Sequence, residues 1–309
     1  MNVRDLFPWP ALLLLVLMAA CQAEVAETPE PAVTVAPVTV GLLLPETENP
    51  YFVSIREGAE EAAARTGARL VVDVAGGDAD RQVTAGRQML ERGVSALAIV
   101  PVDAISVVPL IELANEVAIP VLTIERRATA GDVLTHISSD NVAGGNIAGD
   151  YLARAISGRG RVVELGGQPG TSAAQERSAG FEQALRTYPE VQLLASETGN
   201  FERAQAQAVF AYLLEEYPQI DAVFAHNDAM ILGAIEAARA VRRDDEIVFI
   251  GFDAISEAID AIEAGDLRAT VAQQPKEMGR LAVELAVDYL RLGSQPEPET
   301  VVDLSLVTR

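Results

Sequence analysis

Nine side chains are singled out by type and placing: the planar polar groups of Asn49, Arg126, Arg177, Asn227, Asp253 and Gln273, and the rings of Tyr51, Phe52 and Phe201. A planar polar group can bond two neighbouring hydroxyls at once: an amide donates to one and accepts from the other, a guanidinium donates to both and a carboxylate accepts from both. The rings are informative because only 5% of the chain is aromatic, yet these three lie in polar segments outside the apolar runs. A monosaccharide has apolar C–H faces and a hydroxyl rim. Aromatic plates over the faces and planar polar groups around the edge complement both. Singly, each residue has a plainer reading. Phe52 could be the first core residue of a helix, Asn49 before Pro50 suits a turn and helix start, and Arg126 and Arg177 could form surface ion pairs. The pattern as a whole favours a sugar cleft.

Reaction chemistry finds little support. Lysine occurs once, at Lys276, so the phosphate-binding G-x-x-x-x-G-K-[ST] loop is missing and a Schiff base would rest on that residue alone. Following Gln274 and Pro275, Lys276 reads as the exposed start of a helix. One cysteine, Cys21, allows no intrachain disulfide and no cysteine-rich zinc site. His136 and His226 are too few for a histidine-based metal site and read as polar residues of loops or strand ends. The run Gly166-Gly167-Gln168-Pro169-Gly170 is only a faint echo of the dinucleotide fingerprint. Ser172 with Gln175 reads as a helix capping box and not as a nucleophile. No catalytic residue, metal or cofactor is expected, and the chain is not expected to be an enzyme. With 45 acidic against 23 basic residues, a formal net charge of −22 argues against nucleic acid as partner.

Short apolar runs alternate with helical patterns along the chain: 38–44, 68–74, 95–102, 119–125, 161–167, 191–197, 221–227, 246–252 and 269–273, with a short run near 135–137. The runs are rich in Val, Ile and Leu and mostly unbroken, as parallel strands buried on both faces are. In 52–67, Ile55, Ala59, Ala62 and Ala63 fall on one helix face and Gly67 can end the helix. This alternation predicts a doubly wound α/β fold, and the strand number divides better into two lobes than into one sheet. Segments 95–104 and 220–229 form a loose repeat, and 300–309 reads as one further strand. Ligands of such sheets bind beyond the carboxyl ends of the strands, and the residues singled out above all fall there.

The apolar run 11–20 is too short to span a bilayer but fits a secretory signal. Met18-Ala19-Ala20-Cys21 resembles a lipobox, which predicts lipidation of Cys21 after removal of residues 1–20. Residues 21–37, acidic and rich in Pro and Ala, read as a flexible tether.

The segments 49–63, 123–153, 170–185, 222–235, 248–254 and 270–275 resemble the bacterial ribose-binding proteins, type I periplasmic sugar-binding proteins of ABC transporters. The resemblance is collinear from about residue 38 to the end. It implies two doubly wound parallel-sheet lobes joined by a three-segment hinge near 139, 273 and 302. The lobes would be 38–139 plus 274–302, and 140–273 plus 303–309. It implies ligand contacts at Asn49, Phe52, Arg126, Arg177, Phe201, Asn227, Asp253 and Gln273. Tyr51 stands where phenylalanine is usual, Glu125 where aspartate is, and Pro45 where a serine hydroxyl is, so the resemblance implies ribose or a related monosaccharide as ligand. Hinge closure around the sugar, docking on an ABC permease with its ATPase, a membrane-anchored periplasmic or cell-surface location and a monomeric state follow from the same resemblance. Three alternatives share the fold: a sugar-responsive regulator, for which 1–37 offers no DNA-binding segment, a sugar-modifying enzyme, and a sensory binding protein feeding a membrane receptor.

Overall fold

The computed structural model describes residues 37–309; the signal, Cys21 and the tether up to Ala36 lie outside the described residues. The chain begins with β1 (Thr39–Leu44), α1 (Pro50–Thr66), β2 (Arg69–Val74), α2 (Ala79–Glu91), β3 (Ala96–Ile99), α3 (Val108–Glu116), β4 (Val121–Ile124) and β5 (Thr135–Ser139). It continues through α4 (Asn141–Ala155), β6 (Arg159–Gly166), α5 (Ser172–Leu185), β7 (Glu190–Thr198), α6 (Arg203–Glu216), β8 (Ala222–Ala225), α7 (Asp228–Ala240), β9 (Val248–Asp253), α8 (Ser256–Ala264) and β10 (Ala269–Ala272). The long α9 (Pro275–Leu292) then leads to β11 (Glu299–Val302) and β12 (Ser305–Thr308).

These strands build two six-stranded sheets, ordered β11-β5-β4-β3-β1-β2 and β12-β10-β9-β8-β6-β7. The protein is thus two α/β lobes. All pairings are parallel except β10 with β12. The central strands β3, β4 and β8 are buried at every residue, which explains their unbroken apolar sequences, since helices cover both faces. The repeat seen in the sequence occupies equivalent places: β3 lies beside the opening strand β1 in one sheet, as β8 lies beside β6 in the other. The tail differs from its expected form. It is two four-residue strands, β11 in the first sheet and β12 in the second, with Asp303 and Leu304 between them. The chain therefore passes between sheets three times: after Ser139, after Ala272 and after Val302.

Helix ends follow the sequence signals. Asn49 caps α1, its side chain accepting from Tyr51 N, with Pro50 in the first turn and Gly67 left-handed at φ 66° at the far end. Lys276 opens α9 and pairs with Glu61 at 2.7 Å. The cap of α5 is Thr171, whose side chain accepts from Ala174 N, and not Ser172. The Ser172 hydroxyl accepts from Arg127 N at 3.0 Å instead, joining a loop of the first lobe to a helix of the second. In that second lobe α4 and α5 touch backbone to backbone: a Cβ on Gly145 would collide with the Arg177 carbonyl, and one on Gly180 with that of Val142.

Candidate functional site

Each sheet has its switch point where the chain turns from one side of the opening strand to the other, between β1 and β3 and between β6 and β8. Loops diverge there and leave a crevice. The two crevices share a cavity of about 990 Å³, lined from the first lobe by Pro45, Asn49, Tyr51, Phe52, Glu125 and Arg126, and from the second by Arg177, Phe201, Asn227 and Asp253. Gln273 alone of the sequence candidates is not in the lining. It stands behind it: the Tyr51 hydroxyl donates to Gln273 Oε1 at 3.3 Å, and Gln273 Nε2 donates to Asp253 Oδ1 at 2.8 Å. The hydroxyl that distinguishes Tyr51 from phenylalanine is thereby turned to the hinge segment.

Much of the planar polar chemistry is used to build the site. The Asn227 side chain accepts from Met230 N, capping α7, and donates to the Phe201 carbonyl at 3.1 Å. Arg177 is 1% exposed and reaches three ways: Nε to Asn141 Oδ1 at 2.8 Å, Nη1 to the His226 carbonyl at 2.6 Å and Nη2 to Glu125 Oε1 at 3.1 Å across the cleft. Its guanidinium also lies 3.9 Å from the Phe252 ring centre. The rings of Phe52 and Phe201 flank the Arg126 guanidinium at 5.5 and 5.4 Å, one from each lobe, and Tyr51 meets Phe52 edge-on. Glu125 Oε2 and Arg126 Nε are buried without a hydrogen-bond partner, although they lie 3.4 Å apart: close enough for charge attraction, not aligned for a bond.

The backbone is strained where these groups sit. Left-handed φ angles occur at Glu125, Asn200, Phe201, Asp253 and Ala254, all at strand ends facing the cavity or beside it. Such conformations persist only where surrounding structure enforces them.

Burial dominates the electrostatics. It pushes Asp253 from 3.8 up to about 7, against the pull of Arg177 and the bond from Gln273. Burial, then the charge of Asp253, raises Asp228 well above the carboxylate range. Burial likewise raises Glu46, at the cavity mouth, to about 7, raises Tyr51 well above its ordinary value and lowers Arg126. A raised carboxylate favours the folded state at low pH, and the contribution is lost as pH rises from its unfolded value to its folded one. The Tm of the wild-type protein should therefore fall relative to Asp253→Asn between about pH 4 and 7. A difference that stays constant in thermal melts over that interval would contradict the raised value.

Three buried residues at the site escaped the sequence reading: Asn141, Glu164 and His226. Glu164 carried the one usable signal, a carboxylate within the apolar run 161–167, because such a charge is buried only with partners. Both histidines prove buried. His136 Nδ1 meets Thr123 Oγ1 at 2.8 Å, and burial, with the charge of Arg127, pushes it down to about 3.

Known proteins share this architecture. Residues 40–295 match the family described as periplasmic binding protein domain. The chain is 39% identical over 271 residues to the ribose import binding protein of Salmonella typhimurium, covering 88% of this chain and 90% of that one. It is 29% identical over 272 residues to the D-apiose import binding protein of Paraburkholderia graminis, with 87% of each covered. An ABC transporter periplasmic solute-binding protein from Actinobacillus succinogenes, solved with bound D-allose, is similar with a TM-score of 0.83 at 30% identity, over 88% of this chain and 97% of that one. With both its sequence and its two-lobed fold in agreement, the chain belongs to the periplasmic binding protein family, in the branch that holds the ribose import binding proteins.

Proposed function

We infer that the chain is the extracytoplasmic binding component of an ABC sugar importer, taking one neutral monosaccharide, ribose or a near relative, into the cleft between its lobes. The observation that carries this reading is the buried acceptor Glu125 Oε2 beside the buried donor Arg126 Nε, on two residues that line the cavity. Buried polar groups without partners are costly, and a hydroxyl, which donates and accepts, answers both. The relatives named for ribose and D-apiose import and the structure holding D-allose support the sugar class. Their spread, with Pro45, Tyr51 and Glu125 changed from the ribose pattern, leaves several pentoses and hexoses as ligands to compare.

The lobes in this reading are 38–139 plus 274–302 and 140–273 plus 303–309, a division supported by the sheet membership of β11 and β12. Sugar contacts come from Asn49, Tyr51, Phe52, Glu125, Arg126, Arg177, Phe201, Asn227 and Asp253, with Gln273 holding Asp253 from behind. A ligand that touches both lobes binds the closed state more tightly and shifts the population toward it. The closed protein then docks on the permease and its ATPase as a monomer, tethered to the membrane through lipidated Cys21. No helix among the described residues is long and apolar enough to cross a membrane.

A thermal-shift panel of pentoses, hexoses and sugar phosphates tests the reading. At a thousandfold excess over Kd, linkage adds about 4 kcal/mol to stability, so one or two neutral sugars should raise Tm by several degrees. Sugar phosphates should fail, because Glu48, Glu202 and Glu257 line the cavity. Arg126→Ala should lose the shift. Stabilisation by an amino acid or a purine, with no sugar active, would sink the proposal.

A further inference from the structure

Beneath the second-lobe half of the cleft lies a polar cluster that does not line it. Glu164, on β6, is completely buried and gathers three donors from three elements. Its Oε1 accepts from Ser178 Oγ at 2.8 Å and meets His226 Nε2 at 2.8 Å, while its Oε2 accepts from Ser196 Oγ at 2.5 Å. The other ring nitrogen of His226, Nδ1, lies 3.1 Å from Gly167 N, whose N–H donates to it. A backbone N–H can only donate, so Nδ1 carries the lone pair and the proton sits on Nε2, which donates to Glu164. The imidazole is neutral, in keeping with burial, which lowers its pKa. Burial alone would raise Glu164, and the hydrogen bonds from His226, Ser196 and Ser178 offset it. The cluster is one buried carboxylate fully served by neutral donors.

Its bonds end on the ligand-facing groups. Ser178 follows Arg177 on α5, and the His226 carbonyl accepts from Arg177 Nη1. Gly167 is the platform of Phe201: a Cβ there would strike the Phe201 ring. Asn227 follows His226 and holds the Phe201 carbonyl. We propose that Glu164 and His226 are positioning residues for sugar binding, the carboxylate orienting the imidazole so that its Nδ1 fixes Gly167 under the Phe201 ring while its carbonyl fixes Arg177. This extends the sugar-binding reading and rests on it for the affinity effects. The tautomer and the tie to Gly167 can be tested without any ligand.

The first arm uses the sugar-free protein at pH 7. Long-range ¹H–¹⁵N spectra should show His226 as the neutral Nε2–H form with Nδ1 accepting a hydrogen bond. Its signal is separated from that of His136 by a His136→Gln variant. In His226→Gln, whose amide nitrogen can keep a donor toward Glu164 while its oxygen no longer stands at the Nδ1 position, the Gly167 amide and the Phe201 ring resonances should both move. An imidazolium, the Nδ1–H tautomer, or unmoved Gly167 and Phe201 signals overturns the proposal whatever the protein binds. The second arm titrates D-ribose, D-allose and D-apiose by calorimetry. His226→Gln and Glu164→Gln should each weaken the binding sugar at least 10-fold, and the losses from His226→Gln and Phe201→Ala should be non-additive, because both act through one ring. Affinities within twofold of wild type, or simple additivity, overturn the proposal. If no sugar binds the wild-type protein while the first arm holds, the functional reading fails and the positioning of Gly167 and Phe201 by His226 stands. If Glu164→Gln does not fold, His226→Gln carries both arms.

Discussion

Arg177→Ala should destabilise the protein by about 3–5 kcal/mol, the cost of breaking a buried ion pair, and abolish sugar binding. The guanidinium is the hub of the cleft. It is bonded to Asn141, to the His226 carbonyl and to Glu125 of the opposite lobe, and it lies 3.9 Å from Asp253. Alanine takes from Glu125 the hydrogen bond to its Oε1, leaving only the unaligned attraction of Arg126 at 3.4 Å in a site where the Glu125 side chain is 6% exposed. Urea denaturation monitored by circular dichroism checks the stability, and calorimetry checks the sugar. Adding Glu125→Gln should recover part of the stability, since it removes the stranded charge, but none of the binding. Arg177→Lys should rescue neither, because one ammonium cannot reproduce a planar fork aimed at three acceptors. A stability loss below about 1 kcal/mol would mean that solvent or neighbouring groups take over the role readily.

Gly145→Val should cost about 3 kcal/mol, the upper part of the range for overpacking. The reason is that the obstacle is backbone: the new side chain would meet the Arg177 carbonyl and the Phe181 N, and neither can swing aside as a side-chain end does. Helices α4 and α5 must separate. Because the obstructing carbonyl belongs to Arg177 itself, the hub of the cleft moves with them, so sugar affinity should fall together with Tm. Urea melts and a sugar titration on the same preparation test the coupling. Lost stability with full affinity would show that Arg177 keeps its place independently of α4.

The strands were legible in the sequence because parallel strands covered on both faces need unbroken apolar runs, and the buried stretches Ala96–Ile99, Val121–Ile124 and Ala222–Ala225 supply them. The candidate residues were legible because they follow the carboxyl ends of strands, where such folds place ligands, although Tyr51 and Phe52 fall in the first turn of α1 and Arg177 within α5. What escaped depends on pairing between distant segments. Val301 and Leu306 belong to equally apolar stretches, and nothing local assigns one to the first sheet and the other to the second; only the family resemblance puts the crossover near 302. Thr171 and Ser172 are adjacent hydroxyl residues. Which of them caps α5 is settled by Arg127 N, 45 residues away in sequence. The Glu164–His226 bond spans 62 residues, so each looked like an isolated polar residue. Gln273 reads as a ligand contact from its strand tip; its side chain bonds Tyr51 and Asp253, which line the cavity, a pairing across segments that no local pattern reveals.

The late strand β11 has a kinetic consequence. It pairs with β5 in the register His136 with Glu299, and α9, which contributes Met278, Ala282, Val283, Ala286 and Val287 to the core of the first lobe, is also made late. The first lobe to leave the ribosome therefore cannot close its core until the whole second sheet except β12 has been synthesised. Contacts across such long loops form slowly. Each lobe waits on the last residues of the chain, β11 for the first sheet and β12 for the second, but the first waits longest, and until then its half-covered sheet is the aggregation-prone part of the incomplete chain.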